Sequence, residues 1–335
     1  MRRLLRDLQT LMPGRRIFFI YTHDTLGGRF VHGLKANTEI SYWCYRALRH
    51  QFSRVYFLRS QNEKPWRVAQ VGPRDVVIGH VGETFSLASS RTQRVIAFYP
   101  WAGHPDRSEN TLFNCYSASQ ELSQLTRARS VVLLTSEYNK RRYIDQAGNH
   151  WHDYWKERRL RVVHQPVDLS LFRRVKHNYT TSNFLYIGND AHMKCLDHSR
   201  SLVQAVGRQL HIYGLPGRKI DHLDQSAVLQ TAQEADFFIQ PGMWEAQSVA
   251  ILEAAARGFI PIVSPETGYP YHHPFLLRYG DYSYNLRILR DLLATHPDER
   301  RQLADSLLTQ LHNDIHHNQW EQLTRVLIEE VAALR

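Results

Sequence analysis

Residues 235–265 constrain this chain more than any other stretch. ADFFIQP, residues 235–241, is a short apolar run bounded by Pro-Gly, the pattern of a buried strand. Residues 248–257 are rich in Ala, Leu and Glu and end against Gly258, well placed as a left-handed helix stop. FIPIVSP, residues 259–265, is a second apolar run of strand length. Strand, loop, helix and strand in that order make a parallel α/β unit. Glu245 falls on the loop before the helix, and Glu253 falls within it. The first-turn amides around Gln247, Ser248 and Val249 are expected to point into the crevice at the strand ends. Free amides and the positive end of the helix dipole favour an anion there, typically a phosphate.

The 335 residues suit two domains of about 150 residues, each large enough for its own core. With 43% hydrophobic and 22% charged residues, the composition is that of an ordinary soluble globular protein. Apolar runs such as RIFFIY stop far short of the roughly 18 residues that span a bilayer. Arg2, Arg3, Arg6 and Asp7 interrupt the leucines at the N-terminus, so no signal-peptide pattern is present. Cys44, Cys115 and Cys195 are isolated, which suits a reducing cytosol and argues against a disulfide framework or a structural zinc site. The expected location is cytoplasmic.

Charge divides unevenly. Residues 1–170 hold 26 Lys+Arg against 14 Asp+Glu, whereas residues 171–335 hold 16 against 18. The formal charge of +10 therefore belongs to the first half, and its field favours anionic partners: a lipid diphosphate, an acidic glycan or an anionic membrane surface. A basic solvated surface is the plain alternative. In MRRLLRDLQTLM, Leu4, Leu5, Leu8 and Leu11 fall near one helical face with arginines at its edge. Such a helix suits a lipid headgroup layer or its own domain equally well, so peripheral contact at the inner membrane face stays open.

The stretch with Glu245 and Glu253 resembles the E-x7-E signature of retaining glycosyltransferases of the GT-B fold, especially family four. Three further segments follow that family's order. Residues 161–172, RVVHQPVDLSLF, resemble its interdomain run, with His164-Gln165 in place of Asn-Gly and Val167, Asp168 and Phe172 in register. FLYIG, residues 184–188, resembles the first strand of a second nucleotide-binding half, and Lys194 follows Gly188 at the family's spacing. In the family an arginine and this lysine hold the donor diphosphate; here Asn189 stands where the arginine is expected. NQWE, residues 318–321, before an amphipathic last helix resembles the family's terminal segment.

In the first half, residues 16–21 and 54–58 read as strands, with a helix over residues 37–49 between them. Gly27-Gly28 resembles the family's glycine pair, but about ten residues separate it from the helix. It either approaches the donor phosphate, belongs to the acceptor side, or is an ordinary turn. DVVIGH, residues 75–80, resembles a strand end whose histidine lines the reaction centre, which makes His80 a candidate. The loop at residues 101–107 carries aromatic and polar groups suited to sugar stacking. The remaining histidines, among them His272-His273 and His316-His317, lack a convincing ligand set and read as surface residues.

The resemblance implies an α/β chain of GT-B architecture: two Rossmann-like domains facing a central cleft. Residues 1–165 are expected to bind the acceptor and residues 166–316 the nucleotide sugar, with residues 317–335 crossing back toward the first domain. Implied catalytic residues are His80, Lys194 and Glu245. Implied donor-binding residues are Gly27, Gly28, Gly188, Asn189, Gln247, Ser248, Val249 and Glu253. No metal and no other cofactor is expected. Breaking the bond to the leaving diphosphate then requires fixed positive potential, from Lys194 and the helix amides. Glu245 would orient the sugar and Glu253 accept from ribose hydroxyls, both staying ionised. The implied reaction is retaining transfer of a hexose-type sugar from a nucleoside-diphosphate sugar to a glycan or lipid-linked saccharide. No nucleic-acid partner is expected. Two alternatives remain open: a nucleotide-sugar epimerase or hydrolase on the same fold, and a non-catalytic basic module binding membrane or nucleic acid. The departures leave the base and sugar undecided. Arg218 or Lys219 is a candidate substitute for the missing arginine.

Overall fold

The structure is a computed structural model. It describes residues 16–21, 40–59, 63–79, 83–98, 129–141, 160–164, 172–188, 194–213, 225–242, 248–313 and 319–334. Two compact units divide the chain, and elements are numbered over the described residues. Unit one comprises Met1–Leu134, Lys140–Val163 and Glu321–Arg335; unit two comprises Thr135–Asn139 and His164–Trp320.

Unit one holds a parallel sheet of six strands: β1 (Ile17–Tyr21), β2 (Val55–Arg59), β3 (Val76–Gly79), β4 (Arg94–Phe98), β5 (Arg129–Leu134) and β6 (Leu160–Val162). Their order is β2-β1-β3-β4-β5-β6, with every pairing parallel. Ile17, Phe18, Phe19 and Ile20 are all buried, as expected of a strand covered on both faces. Phe18 and Ile20 share a core with Val68 of α2 (Pro65–Val68) and with Phe85 and Ala88 of α3 (Glu83–Ser89). Ile17 and Phe19 point the other way, toward Cys44 and Leu48 of α1 (Ile40–Gln51). That second core also takes Leu323, Val326, Leu327 and Val331 from the C-terminal helix, Gln319–Leu334. An ion pair of 2.7 Å between Arg161 of β6 and Glu330 fastens this helix to the sheet edge. β3 approaches β1 so closely at Gly79 that a Cβ there would lie 2.5 Å from the Ile20 carbonyl oxygen. Only glycine fits that approach.

Unit two is built on four parallel strands: β7 (Phe184–Ile187), β8 (Leu210–Tyr213), β9 (Phe237–Gln240) and β10 (Ile260–Val263), ordered β10-β9-β7-β8. Its helices are α4 (Leu196–Ala205), α5 (Gln225–Glu234), α6 (Val249–Ala256), α7 (Tyr282–Ala294) and α8 (Pro297–Leu311). The helix expected over residues 248–257 is α6, flanked by Ser248 and Arg257 as its caps. Gly258 follows at φ 94°, and the amides of Gly258 and Phe259 donate back to the Ala255 and Ala254 carbonyls. These bonds satisfy the last helical carbonyls.

A buried charge cluster closes the base of this unit. Asp236, at the start of β9, takes Lys176 Nζ at 2.7 Å and lies 3.7 Å from Arg300 Nη1 of α8. The same carboxylate accepts from the Thr181 hydroxyl and the Ser182 amide, each at 2.7 Å. Arg300 also donates to the Ser182 hydroxyl and to the Leu293 carbonyl. Burial holds the Lys176 ammonium below its ordinary range, with the Asp236 contact opposing that shift.

Candidate functional site

Strand order fixes where a ligand can sit. In unit two the chain leaves β7 for β8 on one side, then crosses to β9 and β10 on the other. The reversal opens a crevice at the carboxyl ends of β7 and β9, the place where open parallel sheets bind ligands. Gly188 follows β7 and residues 241–242 follow β9, so both strands end at this edge. In unit one the equivalent reversal lies between β1 and β3.

Gly188 ends β7, its amide donating to the Tyr213 carbonyl at 3.0 Å. The Lys194 side chain folds back over it: a Cβ on Gly188 would lie 3.1 Å from Lys194 Cδ and 3.5 Å from Nζ. Glycine is therefore the residue that lets the ammonium lie close against the strand end. The next residue, Cys195, holds φ 52° and ψ 44°, a left-handed conformation that costs a non-glycine residue about 1–2 kcal/mol. It turns the chain into α4 immediately after the lysine. Burial raises the Cys195 thiol to about 11, so it is inert as a nucleophile.

At α6 the expectation needs one correction. The Ser248 amide is not open to an anion: it donates to the Thr267 carbonyl at 3.1 Å, because residues 264–268 turn back over the helix start. The Ser248 side chain leaves the helix uncapped and instead turns toward Gln240 Oε1, 3.4 Å away. The first-turn amides from Val249 onward thus lack the side-chain cap that usually satisfies them. Ser264 supports the loop by donating to the Gly242 carbonyl at 2.6 Å. Gln240 is fully buried at the end of β9. Sequence reasoning missed Gln240 and Thr267; a lone amide closing the apolar run FFIQ was the available signal for the first.

Glu253 lies on α6, 8% exposed, and no hydrogen bond from the described residues reaches its carboxylate. Burial raises it to about 7, opposed by the charge of Arg257 one turn on. The expectation that this acid stays ionised without perturbation is thereby corrected: desolvation outweighs the neighbouring guanidinium. Arg257 itself stacks over Phe172 at 4.7 Å, and burial lowers it against the pull of Glu253. A buried carboxylate with open lone pairs suits a ligand that brings two donors, such as a vicinal diol.

The loop after β10 supplies a second correction. His273 is packed rather than superficial, lowered to about 4 by burial, with Phe275 N donating to its Nδ1 at 3.3 Å. Its ring lies 6.3 Å from Tyr269, which stands edge-on to Tyr271 at 5.4 Å. Among the described residues no group of three or more His, Cys, Asp or Glu is arranged to hold a metal ion. None of their helices is long and apolar enough to cross a membrane.

Gly188 and Lys194 thus lie together at the carboxyl end of β7, while Ser248 caps α6 and Val249 and Glu253 lie on it. Gly27, Gly28, His80, Asn189, Glu245 and Gln247 lie outside the described residues, as do Arg218 and Lys219.

Two parallel sheets, each with a strand-order reversal and covering helices, define the GT-B class of fold. Solved glycosyltransferases share it. Anabaena HepE, crystallised with UDP and glucose, matches with a TM-score of 0.63 at 12% identity, over 96% of this chain and 100% of that one. Sucrose-phosphate synthase from Thermosynechococcus elongatus gives 0.60 at 14%, over 96% and 100%. An alpha-glucosyltransferase in complex with UDP gives 0.54 at 12%, over 94% and 100%. No protein-family model matches the chain, and no curated protein matches its sequence.

Proposed function

We propose that this chain is a glycosyltransferase that moves a hexose-type sugar, with retention and without a metal, from a nucleoside-diphosphate sugar to a glycan or lipid-linked hydroxyl. The observation that carries the reading is the Lys194 ammonium held against Gly188 at the strand-order reversal, on the sheet edge where the uncapped amides of α6 begin. HepE and the alpha-glucosyltransferase, which share the fold, were crystallised with UDP.

In this reading the diphosphate binds at Lys194 and the α6 amides, and their positive potential stabilises the charge that develops as the glycosidic bond breaks. Glu253 accepts from the two ribose hydroxyls. Glu245, on the loop before α6, orients the donor sugar, and His80 lines the reaction centre. The acceptor hydroxyl attacks the anomeric carbon from the leaving-group side. Its proton passes to the departing phosphate oxygen, so the products are the glycoside and the nucleoside diphosphate.

Thermal-shift titration against a panel of nucleoside diphosphates and their sugars, with chelator present, tests the donor step. At least one member is expected to stabilise the protein, and a response that requires magnesium or manganese overturns the metal-free scheme. Labelled donor sugar is then followed with lipid-linked, acidic-glycan and DNA acceptors, the last because a fold neighbour was crystallised with UDP and a 13-mer DNA. Return of the label as free or isomerised sugar with every acceptor would replace transfer by hydrolysis or epimerisation. NMR of the product's anomeric centre decides retention.

A further inference from the structure

Unit one carries an apolar pair that its own core does not use. Trp66 is 59% exposed and Leu87 is 54% exposed, the only large apolar side chains so open among that unit's described residues. Each is the outward residue of a short helix whose inward residues are buried: Val68 behind Trp66, and Phe85 and Ala88 behind Leu87. The helices α2 and α3 are neighbours. Arg91, just past α3, joins them by donating to the Val71 carbonyl at 2.9 Å and the Ala69 carbonyl at 3.1 Å at the end of α2. One exposed apolar residue would be unremarked. Here the largest aromatic side chain and an aliphatic one share adjacent helices.

Among the described side chains the surrounding charge is one-sided. Lys64, Arg74 and Arg91 are exposed, and Arg94 is half-exposed, with Nη1 reaching the Pro73 carbonyl at 3.4 Å. None of the four has a carboxylate partner among the described residues. The two nearby acids whose side chains are described are already neutralised within the unit. Asp75 is buried against Arg16 at 2.7 Å and accepts from the Gly72 amide. Glu63 pairs with Arg67 at 3.0 Å and accepts from the Arg59 and Lys64 amides. Cations without carboxylate partners around an indole and a leucine match the layering of a bilayer surface, with phosphates outside and acyl carbon beneath. A glycan fits less well: it has no use for Leu87, and the Asp75 and Glu63 carboxylates that would accept from sugar hydroxyls are consumed.

We propose that this face of unit one docks on an anionic lipid surface, with Trp66 and Leu87 in the headgroup layer and Lys64, Arg74, Arg91 and Arg94 over the phosphates. Docking needs no nucleotide sugar, so it stands or falls apart from the transfer reaction.

Vesicle flotation of the full chain is the test, using phosphatidylcholine alone and phosphatidylcholine with phosphatidylglycerol. The wild type is expected to float only with the anionic vesicles, less so as salt rises. Lys64→Gln and Arg74→Gln are each expected to weaken binding about fivefold. The double variant Trp66→Ser with Leu87→Ser alters only exposed positions and is expected to keep the wild-type melting temperature while losing flotation. Three results overturn the proposal: no flotation by the wild type, equal flotation by the double variant, or equal affinity for both vesicle types. Trp66-dependent retention on dextran sulfate without vesicle binding reassigns the face to an acidic glycan and also overturns it.

Discussion

The side chain of Lys194 lies back across Gly188, its Nζ 3.5 Å from the position a Cβ would take. The two residues act as one feature, since the glycine makes room and the lysine fills it. Gly188 holds φ 159°, a backbone that side-chain-bearing residues rarely adopt, so Gly188→Ala strains the strand end as well as pushing the flexible lysine stem aside. The ammonium moves with it. Nucleoside-diphosphate affinity should therefore fall, and the melting temperature with it. Lys194→Met should lose about 10- to 100-fold in affinity, the worth of a charge-assisted bond to phosphate. Calorimetric titration reads both, and wild-type binding by Lys194→Met would place the diphosphate elsewhere.

Glu253 links donor binding to pH. Its acid is raised to about 7 by burial, and ribose hydroxyls that donate to it favour the ionised form. Affinity should drop about tenfold between pH 8 and pH 6 as the carboxylate takes up a proton. A 2′-deoxy nucleotide, which removes one donor, should show a shallower slope. An identical slope for both nucleotides would remove Glu253 from the ribose.

The same acid affects stability with a defined sign. A carboxyl whose folded value exceeds its unfolded one favours folding at low pH, and that benefit is lost as pH rises from about 4.3 to about 7. Glu253→Gln should accordingly raise the melting temperature at pH 8, by up to about 3 kcal/mol of stability, and change it little at pH 4. Melting curves of the two proteins at both pH values decide this.

Asp236 answers two buried cations. Replacing it by Asn leaves Lys176 and Arg300, both almost wholly buried, without their carboxylate. Loss of about 3–5 kcal/mol is expected. Urea denaturation should show a lower midpoint, and a midpoint unchanged from wild type would mean that the cations find other partners.

Gly79→Ala tests the closest strand approach in unit one. The added carbon would meet backbone, the Ile20 carbonyl, which has no freedom to yield. A loss of about 1–3 kcal/mol follows from such overpacking. The two glycines differ in what an added carbon meets: backbone at Gly79, the flexible stem of Lys194 at Gly188.

The strands were legible in sequence because each is a short apolar run, and both-face burial leaves no polar alternation to confuse it. IFFIY, VVIG, FLYI, FFIQ and IPIV all became strands within a residue or two of the expected ends. The stop at Gly258 was legible for a local reason, since only a left-handed residue fits there. What the sequence hid is what depends on distant segments. Nothing local to Ser248 shows that Thr267 will take its amide, and nothing local to Glu253 reports the desolvation that raises it. His273 looked like one of many surface histidines because its burial comes from Tyr269 and the loop that carries both.

The C-terminal helix completes one of the two cores of unit one through Leu323, Val326, Leu327 and Val331. The strands it covers begin at Ile17. During synthesis β1 precedes this helix, so the part of the face that α1 leaves bare stays open until residues 319–334 have been made. A strand early in the sequence is thus finished by a helix far along it. Truncating the final helix would strip the sheet at the opposite end of the chain.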